Sequence, residues 1–518
     1  MFKRKNINEV INISASVIFV TFIMVTLFFQ RDFLFYRDFS IIWHGALLFA
    51  EGYSPFKDFI MPISPVSILL TGSFLSLTEK SWLAFQVFQI ILNFILLISV
   101  TIFLYKYEKN KLTIFLSVLI FSFFYLIFLT HPWYNNLGAF FLIITIFLSN
   151  LDSKKSLFLC GMISGIAFFT KLDFGLMTLI SSLIIILYRY FNGSKKKLIL
   201  HIFIFLFAFF SFVIIFLSNY ELEILKQTLS LSSEVATNRF GRFAGIFSLK
   251  NLLLIILGLL CIFLFSRESS QYLSYGLILI SSAITSSLGG IEHTHYYFMF
   301  ILPLLFNAFL QNDILKKYLF IIGPAILFLV FPAAKLNFHI FENIYYDSYE
   351  SEYFNKRNIS SEIQISKLNK CSTHLKNVYG PSDFCEIKRL LQKKIDVHKN
   401  KIKILNVSEI NFLGIQLGQD PIKLHPIWYK DSQTVNIDLK NKILNELINN
   451  LYDVVIVQTV NEKFSSHQSR ISMINIMNAN KEYSKVSKVY ESPSCMSRSQ
   501  VLENCGINIY LKKSTYVF

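Results

Sequence analysis

Charge is scarce in this chain. Asp, Glu, Lys and Arg make up 16% of 518 residues, against about a quarter in a soluble globular protein. Hydrophobic residues reach 53%, and the mean hydropathy is +0.50. A purely water-soluble fold is excluded on that balance. No Gly-rich strand-turn-helix segment sits on the expected cytoplasmic side, so a nucleotide-sugar fold is not expected. No C-x-x-C or nearby His pattern accompanies the six cysteines, which argues against a zinc site. The first apolar run, residues 11 to 29, lacks a small-x-small cleavage site and follows Lys3, Arg4 and Lys5, which predicts an uncleaved anchor with a cytoplasmic N-terminus.

Long apolar runs, thickened by 55 Phe, are what the chain has in abundance. After the first run, spans are predicted at 81 to 105, 112 to 129, 136 to 150, 156 to 170, 174 to 190, 198 to 218, 252 to 266, 271 to 288, 297 to 310 and 318 to 333. That makes about eleven membrane helices by the usual length criterion. The segment 64 to 77 is short and carries Pro65 and Gly72, which suits an interfacial or re-entrant helix. Basic residues fall at alternate connections: Lys106, Lys109 and Lys111, then Lys154 and Lys155, then Lys195 to Lys197, then Lys316 and Lys317. The connections 130 to 135 and 289 to 296 carry no Lys or Arg. By the positive-inside rule the lysine-rich connections are cytoplasmic, and an odd number of spans delivers residues 334 to 518 to the outside. The net charge of +16 then reflects topology and anionic lipid, not nucleic acid.

The expected architecture is therefore an α-helical polytopic membrane domain over 1 to 333, with a first external loop at 31 to 80. A soluble extracytoplasmic α/β domain follows over 334 to 518. In the second part, strand-like runs lie at 402 to 407, 452 to 460 and 506 to 511, and helical patterns near 357 to 370, 385 to 397 and 439 to 450. Cys371, Cys385, Cys495 and Cys505 fall here, and an external domain permits disulfides. Three pairings are open, with the local pairs Cys371 with Cys385 and Cys495 with Cys505 leading.

Asp38 and Asp58 stand in a loop rich in Asp, Lys, Gly and Pro directly after the first apolar run, where carboxylates beside hydrocarbon call for a reason. Three places resemble the polytopic GT-C glycosyltransferases, such as protein O-mannosyltransferases, lipid A aminoarabinose transferases and bacterial surface-polysaccharide enzymes. The first place is that loop, with Asp38, Gly45-Ala46, Gly52-Tyr53-Ser54-Pro55, Asp58-Phe59, Pro62 and Pro65. The second is GMISGIAFFTKLDFG, Gly161 to Gly175, and the third IEHTHYYFMFILPLL, Ile291 to Leu305. Many members carry an Arg before the His-Tyr element, where this chain has Ile291 and Glu292.

The resemblance implies that Asp38 is the catalytic base of an inverting transfer. One carboxylate suffices to take the acceptor's proton while a lipid-phosphate leaving group departs. Substrate-binding candidates are Lys57, Asp58, Lys171, Arg239, Arg242, His293, His295 and Tyr296, the cations answering the charge of the leaving phosphate. Simpler roles stand beside these. Asp38 suits the N-cap of a helix over 39 to 50, Asp58 a turn or a pair with Lys57, and Lys171 with Asp173 an ion pair at a hairpin tip. Arg239 and Arg242 suit lipid headgroup anchors, and the loop of His131, Trp133 and Tyr134 an interface belt. His293 and His295 beside Glu292 lack a third metal ligand, so no metal or other cofactor is expected and the reaction is read as metal-optional.

The predicted function is transfer of a sugar from a polyprenyl-phosphate donor to an extracytoplasmic glycan, lipid or protein acceptor, in a bacterial inner membrane. The alternatives are a polysaccharide polymerase or ligase and a lipid-linked sugar transporter or flippase. A transporter is disfavoured because no internal repeat is found and the spans hold few charges.

Overall fold

The computed structural model describes residues 32–33, 37–61, 65–108, 110–121, 134–151, 153–190, 195–240, 243–265, 270–289, 300–311, 365–367, 371–375, 378–381, 383–398, 402–408, 410–429, 435–458, 468–488, 490 and 506–513. The predicted spans 11 to 29 and 318 to 333 lie outside them.

In chain order the elements open with β1 (Asp32–Phe33), α1 (Arg37–Ala50), α2 (Pro65–Ser76), α3 (Trp82–Tyr107), α4 (Lys111–Phe121) and α5 (Tyr134–Ser149). Next come α6 (Lys154–Thr170), α7 (Leu172–Tyr190), α8 (Lys195–Leu217), α9 (Leu222–Phe240), α10 (Leu249–Leu260), α11 (Ser270–Gly289) and α12 (Leu302–Gln311). The rest is β2 (Ile365–Lys367), β3 (Val378–Pro381), α13 (Asp383–His398), β4 (Ile404–Val407), α14 (Ile437–Ile448), β5 (Val454–Gln458), α15 (Gln468–Ala479), β6 (Tyr483–Lys485) and β7 (Ile507–Lys512). The chain is predominantly helical. Among the described residues, three helices are long and apolar enough to cross a membrane: Trp82–Lys106, Leu172–Arg189 and Lys195–Leu217. The short helix predicted at 64 to 77 is α2.

Two departures from the predicted elements stand out. The connection 219 to 251, expected as a loop, contains α9, whose buried Ile224, Thr228 and Leu231 recur at helical spacing in a stretch rich in Ser, Thr, Glu and Lys. The helical pattern at 357 to 370 is corrected at residues 365 to 367. They form β2, antiparallel to β3, because the ladder with Pro381, Gly380 and Tyr379 supplies their backbone partners. The remainder of that pattern lies outside the described residues.

The chain divides into two compact units that interleave along the sequence. One takes Val87–Asn219 and Arg239–Glu342 along with the N-terminal segment; the other takes Phe29–Gln86, Tyr220–Asn238 and Asn343–Phe518. The division expected at 333/334 had put the first loop with the helices. By contact, that loop shares a unit with the C-terminal segment.

The helical unit is built on close backbone approach. A Cβ on Gly161 of α6 would meet the Phe205 carbonyl oxygen of α8 at 2.2 Å, and one on Gly165 would meet the Phe212 ring at 2.7 Å. These two glycines, four apart, open a groove for α8, a small-residue packing mode of membrane helices. Gly258 and Gly276 do the same reciprocally between α10 and α11, each facing the other's carbonyl oxygen. Buried polar groups then pin the helix ends in two sets. At one end Arg189 donates to the Ser149 carbonyl at 3.0 Å, Asn150 to Ser274 at 2.7 Å, and the Asn110 amide to Asn307 at 3.1 Å. At the other, Asn251 donates to Ser287 at 3.0 Å, and Tyr134 lies under the Lys171 ammonium. The first set adjoins the lysine-rich connections, so the alternation read from the sequence groups helix ends that are in contact.

The second unit contains a four-stranded sheet in the order β4-β5-β7-β6, with β4 and β5 parallel and the other pairs antiparallel. A parallel pair needs a crossover, and α14 supplies it. Leu405, Val407, Ile443, Leu447, Val455, Met473 and Tyr510 form the core between sheet and helices. Asn436 caps α14 by accepting from the Leu439 amide at 2.9 Å. Cys371 and Cys385 form a disulfide next to β3 and α13.

Candidate functional site

Two corners carry the described candidate residues, one in each unit. In the helical unit the corner is Lys171, the single residue joining α6 to α7. Its backbone is extended, with φ −161° and ψ 125°; its N–H donates to the Ala167 carbonyl and its own carbonyl accepts from Gly175. One residue thus ends one helix and begins the next. The turn is this tight because Gly175 lies against the backbone of Phe168, where a Cβ would come within 2.2 Å of Cα. Lys171 Nζ lies 2.9 Å from Asp173 Oδ2, and the two side chains are 1% and 4% exposed. Asp173 also accepts from the Phe174 amide at 3.0 Å, and the ammonium faces the rings of Tyr134 at 5.8 Å and Phe174 at 5.1 Å. An opposite charge and aromatic faces together offset the cost of keeping an ammonium out of water. The ion pair expected at the hairpin tip is therefore present, and buried.

The second corner is the first loop. Asp38 sits in the first turn of α1, which begins at Arg37, one residue before it; its side chain lies outside the described residues. Further along α1 the helix is buried: Trp43 packs edge-on against Trp82 and Phe412, and Gly45 faces Ile68 and Ile427. Burial pulls the His44 imidazole down to about 3, so it is neutral. Gly52 then turns the chain with φ 99°, a backbone region that favours glycine. Ser54 and Asp58 close the next turn reciprocally. Asp58 Oδ2 accepts from the Ser54 amide at 2.7 Å, and the Asp58 amide donates to the Ser54 carbonyl at 2.9 Å. Asp58 thus fixes a turn, the simpler of its two expected roles, while Lys57 is exposed beside it.

The loop is enclosed by residues that sequence reasoning did not single out. Strand β1, the element before α1 in the chain, pairs in parallel with β3. Tyr53 donates to the Asp420 carboxylate, which pushes its phenol up to about 12. Ile60 donates its amide to the His425 carbonyl at 3.0 Å, and Phe56 accepts from the Glu221 amide at 3.1 Å. Lys423 pairs with Glu221 at 2.8 Å. Beneath this stretch His425 is buried, with Nδ1 2.9 Å from the Tyr429 hydroxyl and Nε2 3.0 Å from Glu446 Oε2. Burial pushes the Glu446 carboxyl up, but hydrogen bonds from His425 and Tyr452 outweigh it and the net shift is downward. The pattern D-P-I-K-L-H-P at Asp420 to Pro426, with charges between prolines, was the available signal for an ordered segment.

Arg239 belongs to α9 by its backbone, with its side chain outside the described residues. Arg242, His293, His295, Tyr296, Cys495 and Cys505 lie outside them altogether, as do His131 and Trp133. Among the described residues no group of three or more His, Cys, Asp or Glu is placed to hold a metal ion. No protein-family model matches the chain, and no curated protein matches it in sequence.

Proposed function

We propose that the protein is an inverting membrane glycosyltransferase of GT-C type, moving a sugar from a polyprenyl-phosphate donor to an extracytoplasmic acceptor. What supports the reading most is the first loop. A carboxylate-bearing helix start and an Asp-closed turn are framed by a polar unit with a disulfide, and disulfides persist on the oxidising side of a membrane. Helix ends that adjoin the lysine-rich connections are in contact with one another, which supports a common side for those connections.

The chemistry assigned to this chain is single displacement. The acceptor oxygen attacks the anomeric carbon while Asp38 takes its proton; the bond from that carbon to the phosphate oxygen breaks, and the phosphate leaves with the electron pair. Its charge is answered by basic residues, for which Lys57, Lys171, Arg239 and Arg242 are the candidates. In this scheme Asp58 orders the loop and does not exchange protons.

A transporter of lipid-linked sugar is the second reading. The observation favouring it is the buried hydroxyl seam of the helical unit, where Ser181 meets Ser281 at 3.3 Å and Ser149 meets Ser182 at 3.2 Å. One experiment separates the two: transfer of radiolabelled sugar from a panel of polyprenyl-phosphate donors in membranes holding wild type or Asp38→Asn at equal protein level. Loss of a general base lowers the rate by about 100-fold or more. Equal transfer by both proteins removes Asp38 from the chemistry. Movement of intact donor across the bilayer without transfer supports the second reading.

A further inference from the structure

The stretch Asp420 to Tyr429 touches the first loop at three successive points. Asp420 receives the Tyr53 hydroxyl, the His425 carbonyl receives the Ile60 amide at 3.0 Å, and Pro426 forms a parallel bridge with Ile60. Ile427 reaches Gly45 of α1, and Leu424 packs near buried Ile60, Ile224 and Leu231. Leu424 holds φ 62°, a left-handed conformation that a branched side chain adopts only where its surroundings impose it. The residue after it, His425, faces both ways. Its carbonyl orders the loop two residues beyond Asp58, while its ring is 2% exposed and fixed by Tyr429 and Glu446. Glu446 is held in turn by the Tyr452 hydroxyl at 2.5 Å.

A buried His linking two side chains is ordinarily a core device. Two observations go beyond that role here: the strained residue beside it, and a main-chain bond to Ile60, 365 positions earlier in the chain, in the loop opened by Asp38. We propose that Asp420 to Tyr429 is a strap that sets the working form of the first loop, with His425 its positioning residue, and that Glu446 acts on the loop only through the His425 ring. The proposal rests on the transferase reading and deepens it. The C-terminal segment becomes part of the machinery that presents Asp38.

The test uses the full chain in detergent or nanodiscs, comparing wild type with His425→Ala, Glu446→Ala and Glu446→Gln. Amide hydrogen exchange of the peptide spanning residues 52 to 61 is followed together with kcat and KM for sugar transfer. Oxidised Cys371–Cys385 and an unchanged exchange pattern in β4, β5 and β7 confirm that the domain is folded in each variant; if His425→Ala loses that pattern, Glu446→Ala is the deciding protein. The expected result is at least about tenfold faster exchange at Ile60 in the alanine variants. A fall in kcat of similar size is expected with KM changed less than about threefold, because a disordered loop misplaces the base relative to the reacting atoms more than it weakens substrate binding. Glu446→Gln, which keeps an oxygen facing the ring, is expected to restore most of both. Unchanged exchange at Ile60 overturns the strap, and faster exchange with wild-type kcat overturns its positioning role. The exchange measurement needs no activity, so an inactive wild type removes the transferase reading while Ile60 still decides whether the strap holds the loop.

Discussion

At the scale of single residues, two buried ionisable groups give opposite lessons. His44 sits wholly inside the second unit and is kept neutral by burial, down to about 3. The unfolded chain binds a proton near the ordinary value of 6.5 and the folded one does not. Stability is therefore full above about 6.5 and falls as pH drops from there toward about 3. His44→Leu should flatten that slope, measured as the melting temperature of the second unit across this range; an unchanged slope puts the acid sensitivity elsewhere. Lys171 is the contrary case, charged and paired. Lys171→Met alone strands Asp173 and should cost about 3–5 kcal/mol, whereas Lys171→Met with Asp173→Leu should be near neutral in stability. If Lys171 serves transfer as well as packing, the double variant keeps its melting temperature in detergent and loses sugar transfer. Retained transfer by a stable double variant confines the pair to structure.

At the scale of elements, the small residues of Gly161 to Gly175 act as packing surfaces. Gly161→Leu would drive a branched side chain into the α8 backbone and should destabilise the helical unit by about 1–3 kcal/mol or more. Wild-type thermal stability of that variant would mean that α6 and α8 do not approach as closely as described. The helices from α3 to α8 were legible in the sequence because each is a nearly unbroken apolar run bounded by lysines, serines or asparagines, and Ser153 does cap α6. Helix α9 was not, since its three core residues are diluted by Ser, Thr, Gln and Lys. Strand β2 was missed for a different reason: three residues have no periodicity to read, and their conformation is decided by β3.

At the scale of the whole molecule, the sequence showed apolar helical runs ahead of a more polar tail but not the interleaving of the two units. Tyr53 and Asp420 are 367 positions apart, and no local pattern announces a bond over that distance. The turn at Asp58 was legible from its composition, whereas its attachment to His425 was not. The disulfide belongs to this scale, because it ties the segment before β3 to α13 across a separation of 14 residues. Breaking a loop of that size removes about 3 kcal/mol in the chain-entropy account. Reduction should lower the melting temperature of the second unit and leave the helical unit unchanged, as read by hydrogen exchange in each. Equal loss in both would mean that they unfold together.

Because the first loop takes its partners from residues beyond 420, it emerges long before it can fold. About 365 residues separate Ile60 from His425, and at ~5–20 residues per second their synthesis takes roughly 20–70 s. The sheet waits longer still, since β7, its third strand in space, comes last in the chain. During that interval the loop is a nascent polar segment open to proteases and to chaperones of its compartment. Synthesis of the residues between Ile60 and His425 therefore sets the clock for ordering of the first loop.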